Sequence, residues 1–297
     1  SIHPLAKTNR TTVMSNRSRT YSPRGGPPKS IIPNYILFPV AGLTGTLVYG
    51  YYAFLEEVPF TKRKRIIATS PEFERRIGDE QYNQLLKHYR RDILPPHHRA
   101  SITVQRVGSR ISAAADNFSQ RHLPEKVWRG ASPYTYTVVR SDVANAFVLP
   151  NNHVFVLTGL FKYARDEDEL AAVLGHEMAH NLARHAGEKM SGGILMSIMA
   201  NVVLLIDPTG LLYTLFVPAA TLLSELPHSR EAEIEADHIG LHLSAEACYD
   251  PDAAKRVFAA MSKGDPSGKG IKAPPEFLST HPSDDTRISN FEKWMPE

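Results

Sequence analysis

The chain has 297 residues, of which 42% are hydrophobic and 22% charged, a balance that excludes a wholly disordered protein and admits one large domain or two small ones. A formal net charge of +3 is too small to support nucleic acid as a partner, and the single cysteine, Cys248, excludes an intrachain disulfide. The charge is unevenly placed: no Asp or Glu precedes Glu56, while Lys7, Arg10, Arg17, Arg19, Arg24 and Lys29 are all basic.

Residues 1–34 are rich in Ser, Thr, Arg and Pro and lack acids. That is the composition of a mitochondrial transit peptide, and Arg19-Thr20-Tyr21-Ser22 has the form of a processing site cleaved after Tyr21. Residues 35–55 carry no charge. Spanning a bilayer as a helix takes roughly 20 apolar residues, so this run is expected to be a transmembrane helix. Gly42, Gly45 and Gly50 are tolerated in lipid, and Tyr35, Tyr49, Tyr51 and Tyr52 lie toward the interfaces. Basic residues flank both sides, with Lys62-Arg63-Lys64-Arg65 beyond the span, so charge asymmetry does not set its orientation. Residues 56–99 read as a linker and an amphipathic helix over 70–93. Its apolar face would be Phe73, Ile77, Tyr82, Leu85, Leu86 and Tyr89, with Ser70-Pro71-Glu72 as the start and Leu94-Pro95-Pro96 as the stop.

One domain is expected over 100–297. A helix over 103–117 would bury Val104, Val107, Ile111 and Ala114. Residues 134–139 alternate as a strand, and 146–149 with 154–158 form a hairpin around Pro150-Asn151-Asn152. The acidic run Asp166-Glu167-Asp168-Glu169 suits the positive end of a helix over 166–185. Two apolar runs, 194–206 and 211–223, are separated by Asp207-Pro208-Thr209-Gly210. Each is too short to span a bilayer alone, so a helical hairpin is expected, packed on the domain or dipping into the membrane surface. Helices follow over 229–245 and 250–263, and the remaining tail is loop apart from a short helix over 286–294. Cys248 reads as a buried small residue.

The chemistry centres on His176-Glu177-Met178-Ala179-His180. Residues four apart share one face of a helix, so both imidazoles can point at one zinc ion while Glu177 reaches a water beside it. Zinc lowers the pKa of its water to about 7, and Glu177 can take that proton and deliver it to a leaving amine. Ala171, Ala172, Gly175 and Ala179 allow close packing behind the metal.

A catalytic zinc usually takes three protein ligands and keeps one position open. The metzincin pattern, with a third His ten residues after the first, is excluded because Ala186 and Ala183 stand where its His and Gly would be. The better source is Ser229-Arg230-Glu231-Ala232-Glu233-Ile234-Glu235-Ala236-Asp237. There Glu233 can ligate and Asp237, one turn on, can orient an imidazole through its free N–H; Glu231 and Glu235 are rivals for the same role. His185, nine residues after His176, would point to the opposite face of an ideal helix and reads as structural.

The two motifs, His176–His180 and Glu233–Asp237 with Gly240 behind, resemble those of the HtpX-like and CAAX-processing zinc metallopeptidases. The resemblance covers roughly 100–292. It implies an α+β, mainly helical, gluzincin-type peptidase domain with a small antiparallel sheet, one Zn2+ per chain, and Glu233 as third ligand. Asn145-Ala146-Phe147 with Val154–Leu160 looks like the family's substrate-side strand. Ser279-Thr280-His281-Pro282 followed by Arg287-Ile288 looks like its C-terminal element, which would bring His281 to the metal, stabilising the oxyanion or acting as an inhibitory fourth ligand. The basic leader, single anchor and 76–95 segment are similar to those of the family's mitochondrial inner-membrane branch. That likeness implies an anchored quality-control endopeptidase acting on membrane proteins or unfolded polypeptides. Its catalytic domain would face the intermembrane space in contact with inner-membrane lipid, and a homo-oligomer is left open. Two rivals stand beside it: an inactive zinc-binding scaffold or holdase, and a processing protease for lipidated CAAX substrates.

Overall fold

The computed structural model describes residues 34–58, 60–128, 131–263, 276–281 and 285–295; the leader expected over 1–34, Asn34 apart, lies outside the described residues. The chain divides into two units at Gly50. The first is described through the uncharged helix α1 (Asn34–Phe54), which runs on past that boundary and is 21 residues long. At about 1.5 Å per residue it matches the roughly 30 Å hydrocarbon core of a bilayer.

The second unit is mainly helical with two small sheets. Directly after α1, β1 (Leu55–Glu57) and β2 (Lys64–Ile66) form an antiparallel hairpin, turned through Lys62 at a φ of 62°. Three-residue strands are too short to show a period in the sequence. Helix α2 (Pro71–His88) starts as expected: Ser70 accepts from the Phe73 N–H, and Pro71 sits in the first turn, where its missing N–H has no intrahelical partner to lose. Its inner face departs from expectation. Phe73 is 37% exposed, and the helix docks through buried Glu74 and Gly78, because Glu74 takes the Arg184 guanidinium at 2.6 Å. Tyr82, Leu85 and Tyr89 do pack inward, against Val139, Leu149, Phe155 and Leu157.

Helix α3 (Arg99–His122) buries Val104, Val107, Ile111 and Ala114, as its periodicity requires, and the short α4 (Glu125–Trp128) follows. The central sheet comprises β3 (Thr135–Val139), β4 (Ala146–Val148) and β5 (His153–Leu157) in the order β3-β5-β4. The expected hairpin is present, with Ala146 opposite Val156. The sheet as a whole is mixed, not antiparallel, because β3 runs parallel to β5. The cause is the connection over 140–145, which arches across the end of β5 and brings β4 down its far side. Thr158 Oγ1 ties the arch by accepting from the Ser141 N–H at 3.0 Å and donating to the Ser141 carbonyl at 2.9 Å. Gly159 lets it close, since a Cβ there would meet two carbonyl oxygens of the arch at 2.4 Å.

A 3₁₀ turn (Thr158–Lys162) leads into α5 (Glu167–Leu182), capped by Asp166, which accepts from the Glu169 N–H at 2.8 Å. Helix α5 ends at Leu182 rather than running to His185. Arg184 takes a left-handed φ of 54°, and α6 (His185–Ile206) starts at once. Helix α7 (Leu211–Glu246) joins what the sequence suggested were two helices into one of 36 residues. Helices α8 (Asp252–Ser262), α9 (Glu276–Thr280) and α10 (Asp285–Trp294) complete the unit. Cys248 is exposed, not buried, at a φ of 59° just beyond α7. Neither apolar run could span a bilayer alone, but the first is only part of α6. That helix has 22 residues and is long and apolar enough to cross a membrane by length and composition.

The core lies between α3, α5, α7 and α8, beneath the sheet. The backbones of two of its helices meet where α5 crosses α7. A Cβ on Gly240 would stand 2.8 Å from the His176 nitrogen and 3.0 Å from the Gly175 carbonyl carbon, all backbone. Gly240→Ala should therefore destabilise the domain by about 1–3 kcal/mol, the usual cost of overpacking. Gly193→Ala, on an open helix surface, should be neutral or stabilising by up to about 1 kcal/mol. Thermal unfolding of both variants checks this; equal midpoints would refute it.

Candidate metal centre

Two i, i+4 pairs face each other across the α5–α7 contact: His176 and His180 on one helix, Glu233 and Asp237 on the other. The Nε2 atoms of His176 and His180 are 3.1 Å apart. Glu233 closes the set, with Oε2 3.4 Å from His176 Nε2 and Oε1 3.4 Å from His180 Nε2. His281, carried just past the end of α9, brings Nδ1 to 3.0 Å from Glu233 Oε1 and 3.3 Å from His176 Nε2. One atom from each of these four residues falls in a cluster that could hold a metal ion.

The cluster fits a metal on two grounds. A tetrahedral ion bound at about 2.0–2.1 Å sets its donors about 3.3 Å apart, the spacing observed. Glu233 Oε2 is also buried without a hydrogen bond, held only by longer ion-pair contacts to His176 Nε2 at 3.4 Å and Arg287 Nη1 at 3.3 Å, so it retains a lone pair that an ion would satisfy. Of the rival carboxylates, Glu231 is exposed, and Glu235, although buried, turns to the other side of α7 and pairs with Arg63 and His185.

Asp237 Oδ1 lies 2.9 Å from His176 Nδ1, where it fixes that ring with Nε2 toward the cluster. Asp237 is itself gripped at both oxygens by Arg287 of α10, at 2.6 and 2.7 Å. Burial opposes the ionised form of Asp237, but Arg287 and His176 outweigh it and hold its pKa low. The same logic governs the imidazoles. Burial works to lower His176, yet the Asp237 hydrogen bond and Glu233 push it up to about 9, while burial and the facing His176 hold His180 well below its ordinary value.

Glu177 projects from α5 beside the cluster. It is 3% exposed, and burial raises its pKa. The Val148 backbone amide and His281 work against that rise, His281 Nε2 lies 3.3 Å from Oε1, and Oε1 has no hydrogen-bond partner. That is the setting of a carboxylate able to accept and return a proton.

Val148 belongs to β4, the edge of the sheet. The Leu157 N–H bonds to the Asn145 carbonyl and the Leu149 N–H to the His153 carbonyl. Asn145, Phe147 and Leu149 therefore pair inward with β5, and Ala146 and Val148 turn their backbone groups to the open edge. The sequence marked this strand, through Asn145, Ala146 and Phe147 among others, but not which of its residues face outward, because register cannot be read from one strand.

His185 lies outside the cluster, in line with the structural role read from the sequence, but it is not on the opposite face: the helix breaks at Arg184, which returns His185 to the site. Its Nδ1 lies 2.7 Å from His180 Nδ1, the nitrogen facing away from the cluster, so it is a partner of His180 and not a member of the ligand set.

Titrated with zinc as probe, Asp237→Asn should bind about 10–100-fold more weakly than wild type, the usual effect of losing the group that orients a ligating histidine. Glu233→Ala should lose more. Competition with a chromogenic chelator measures both, and unchanged affinity in Asp237→Asn would contradict the assignment.

The profile of Peptidase family M48 matches residues 103–295, a span containing every residue of the cluster. Among similar proteins, the mitochondrial metalloendopeptidase OMA1 of Schizosaccharomyces pombe is 36% identical over 259 residues, covering 85% of this chain and 71% of its own. OMA1 of Saccharomyces cerevisiae is 32% identical over 250 residues, 83% of this chain and 71% of its own. The human mitochondrial metalloendopeptidase OMA1 is 31% identical over 257 residues, 83% of this chain and 47% of its own. With the family profile and these relatives agreeing over the stretch that builds the histidine–carboxylate cluster, the chain belongs to peptidase family M48 and is a metalloendopeptidase.

Proposed function

We propose that the metal is zinc, that His176, His180 and Glu233 hold it, and that Glu177 is the acid–base group of a peptide-bond hydrolase of the mitochondrial inner membrane. The observation that carries this reading is the set of His176, His180 and Glu233 donors at 3.1–3.4 Å from one another with the buried carboxylate of Glu177 beside it. Two imidazoles and one carboxylate are a donor set of catalytic zinc sites. When bound, zinc supplies Lewis acidity, polarising a carbonyl and acidifying water. Glu177 removes a proton from the attacking water and passes it to the departing amine, a transfer favoured by a pKa raised through burial. His281 Nδ1 shares the cluster and its Nε2 meets Glu177, so its ring must turn aside or donate to the developing oxyanion when a substrate is seated.

The open edge of β4 suits an extended polypeptide. Ala146 and Val148 would pair with substrate backbone, which gives affinity with little sequence preference, as expected for protein quality control on membrane or unfolded polypeptides. Residues 1–34 would be the leader, 35–55 the anchor, 56–99 the linker with α2, and 100–297 the peptidase domain. The name carried by the relatives supports a mitochondrial location, and the transit-like leader agrees with it.

The inner-membrane assignment has a second support in the tip of the α6–α7 hairpin. Leu205, Ile206, Leu211 and Leu215 are 81%, 72%, 64% and 65% exposed, an apolar surface that water disfavours. A polarity-sensitive dye on Leu205→Cys, in a Cys248→Ser background because Cys248 is itself exposed, should shift to the blue when vesicles are added. Unchanged emission would remove lipid as the partner of this tip.

For the chemistry, Glu177→Gln should retain zinc at wild-type stoichiometry and lose casein hydrolysis by at least about 100-fold, within the usual contribution of a general base. Metal analysis with a proteolysis assay tests this, and normal turnover would defeat the role given to Glu177.

A further inference from the structure

His180 uses its two ring nitrogens for different things. Nε2 faces the cluster, and Nδ1 faces His185 Nδ1 at 2.7 Å. A histidine that offers one nitrogen to a metal carries its proton on the other and must donate it. The acceptor here is an imidazole. His185 can accept at Nδ1 only as the neutral tautomer protonated at Nε2, and that Nε2 lies 2.9 Å from Glu235 Oε2. One tautomer of each ring therefore satisfies both contacts, with His180 donating to His185 and His185 donating to Glu235.

The chain of contacts continues out of the active-site helices. Glu235 takes the Arg63 guanidinium, Nη2 at 2.8 Å and Nε at 3.3 Å, and the Thr61 hydroxyl. The remaining edge of Arg63 grips Glu188 at 2.7 and 2.6 Å. Thr61 and Arg63 lie in the turn of the β1–β2 hairpin, the segment immediately after α1. The same hairpin holds the break between α5 and α6, since Arg65 donates to the Ala183 carbonyl and Glu56 meets Arg184 at 3.4 Å. His185 and Glu235 are 9% and 3% exposed, so these bonds are shielded from competing water.

We infer that His185 is a positioning residue for the metal ligand His180, and that Glu235 and Arg63 make this positioning depend on the hairpin that follows the membrane helix. The inference rests on the metal site proposed above and adds a direction of control to it. A displacement of the juxtamembrane hairpin pulls Arg63 from Glu235, frees His185 and loosens the His180 ring, with no contact to substrate. Coupling of this kind is reciprocal, so metal at the cluster must in turn steady the hairpin.

The test uses the full chain, with zinc affinity read by competition against a chromogenic chelator, a measurement independent of proteolysis. His185→Leu keeps the volume and removes both bonds; it should weaken zinc by about 10–100-fold and alter the visible spectrum of the cobalt-substituted protein. His185→Gln, whose amide can accept from His180 and donate to Glu235, should recover most of the affinity. Arg63→Ala, remote from the cluster, should weaken zinc at least about fivefold, the lower end of ordinary site-to-site coupling. Wild-type affinity in His185→Leu or Arg63→Ala, or a Gln variant as weak as Leu, overturns the inference. In the unaltered chain, zinc should slow hydrogen exchange at the amides of Val58 and Lys62, which close the hairpin turn. Exchange that ignores zinc overturns the coupling even where a variant fails to fold. A wild-type chain that binds no zinc fails the underlying site instead, so the two failures are told apart.

Discussion

The site exists because α5 and α7 come into backbone contact at Gly175 and Gly240. Helices separated by ordinary side chains run about 8–10 Å apart; a glycine on each side removes that spacer at one point. The glycine contact lies next to His176 in sequence and within one turn of Asp237, so the backbone approach falls at the height of the cluster. Each helix then contributes a pair of residues one turn apart, and the short Asp and Glu side chains can reach the facing imidazoles. With any larger residue at 240, Glu233 and Asp237 would retreat together, because both ride on the same rigid helix.

A second constraint follows from crowding four carboxylates into this space. Glu177, Glu233, Glu235 and Asp237 are each 4% exposed or less, and buried carboxylates are tolerated only when paired. Asp237 has Arg287 and Glu235 has Arg63, while Glu233 is shared by the histidines and Arg287 Nη1 at 3.3 Å. Glu177 alone receives no arginine or lysine among the described residues. The Val148 amide and the His281 ring only partly offset its burial, so its pKa stays raised. Arginine thus steadies Asp237, Glu235 and Glu233, while Glu177 lies beside the cluster without one.

Much of this was legible in the sequence, for definite reasons. The helical spacing of His176 and His180 and of Glu233 and Asp237 is local, so one strand of sequence contains it. Choosing Glu233 over Glu231 and Glu235 needed more than spacing, since three carboxylates at alternate positions of one helix face three directions; the resemblance to a family made that choice. What stayed hidden was non-local or torsional. The left-handed Arg184 carries no signature, as an arginine there is sterically disfavoured, and without that break His185 points away. The parallel pairing of β3 with β5 depends on a connection of ordinary composition. Glu74 and Arg184 are both polar and far apart in the chain, so no apolar periodicity reveals that their ion pair seats α2.

The residues that complete the centre come from far apart in the chain: Arg63 before the peptidase motif, the histidines of α5, the carboxylates of α7, then His281 and Arg287 near the end. Such a centre cannot form before the domain has folded, and without a cation it remains imperfect. Glu233 Oε2 and Glu177 Oε1 lie buried without hydrogen bonds, and His176 is pushed up to a pKa of about 9 by carboxylates on both sides. A cation at the cluster would satisfy Glu233 and displace the His176 proton, which ties metal affinity to folding and to pH at once. The hairpin after α1 lies at the end of that linkage, in contact with Glu188 of α6 and Glu235 of α7, where a shift of the hairpin and a change at the cluster act on the same few bonds.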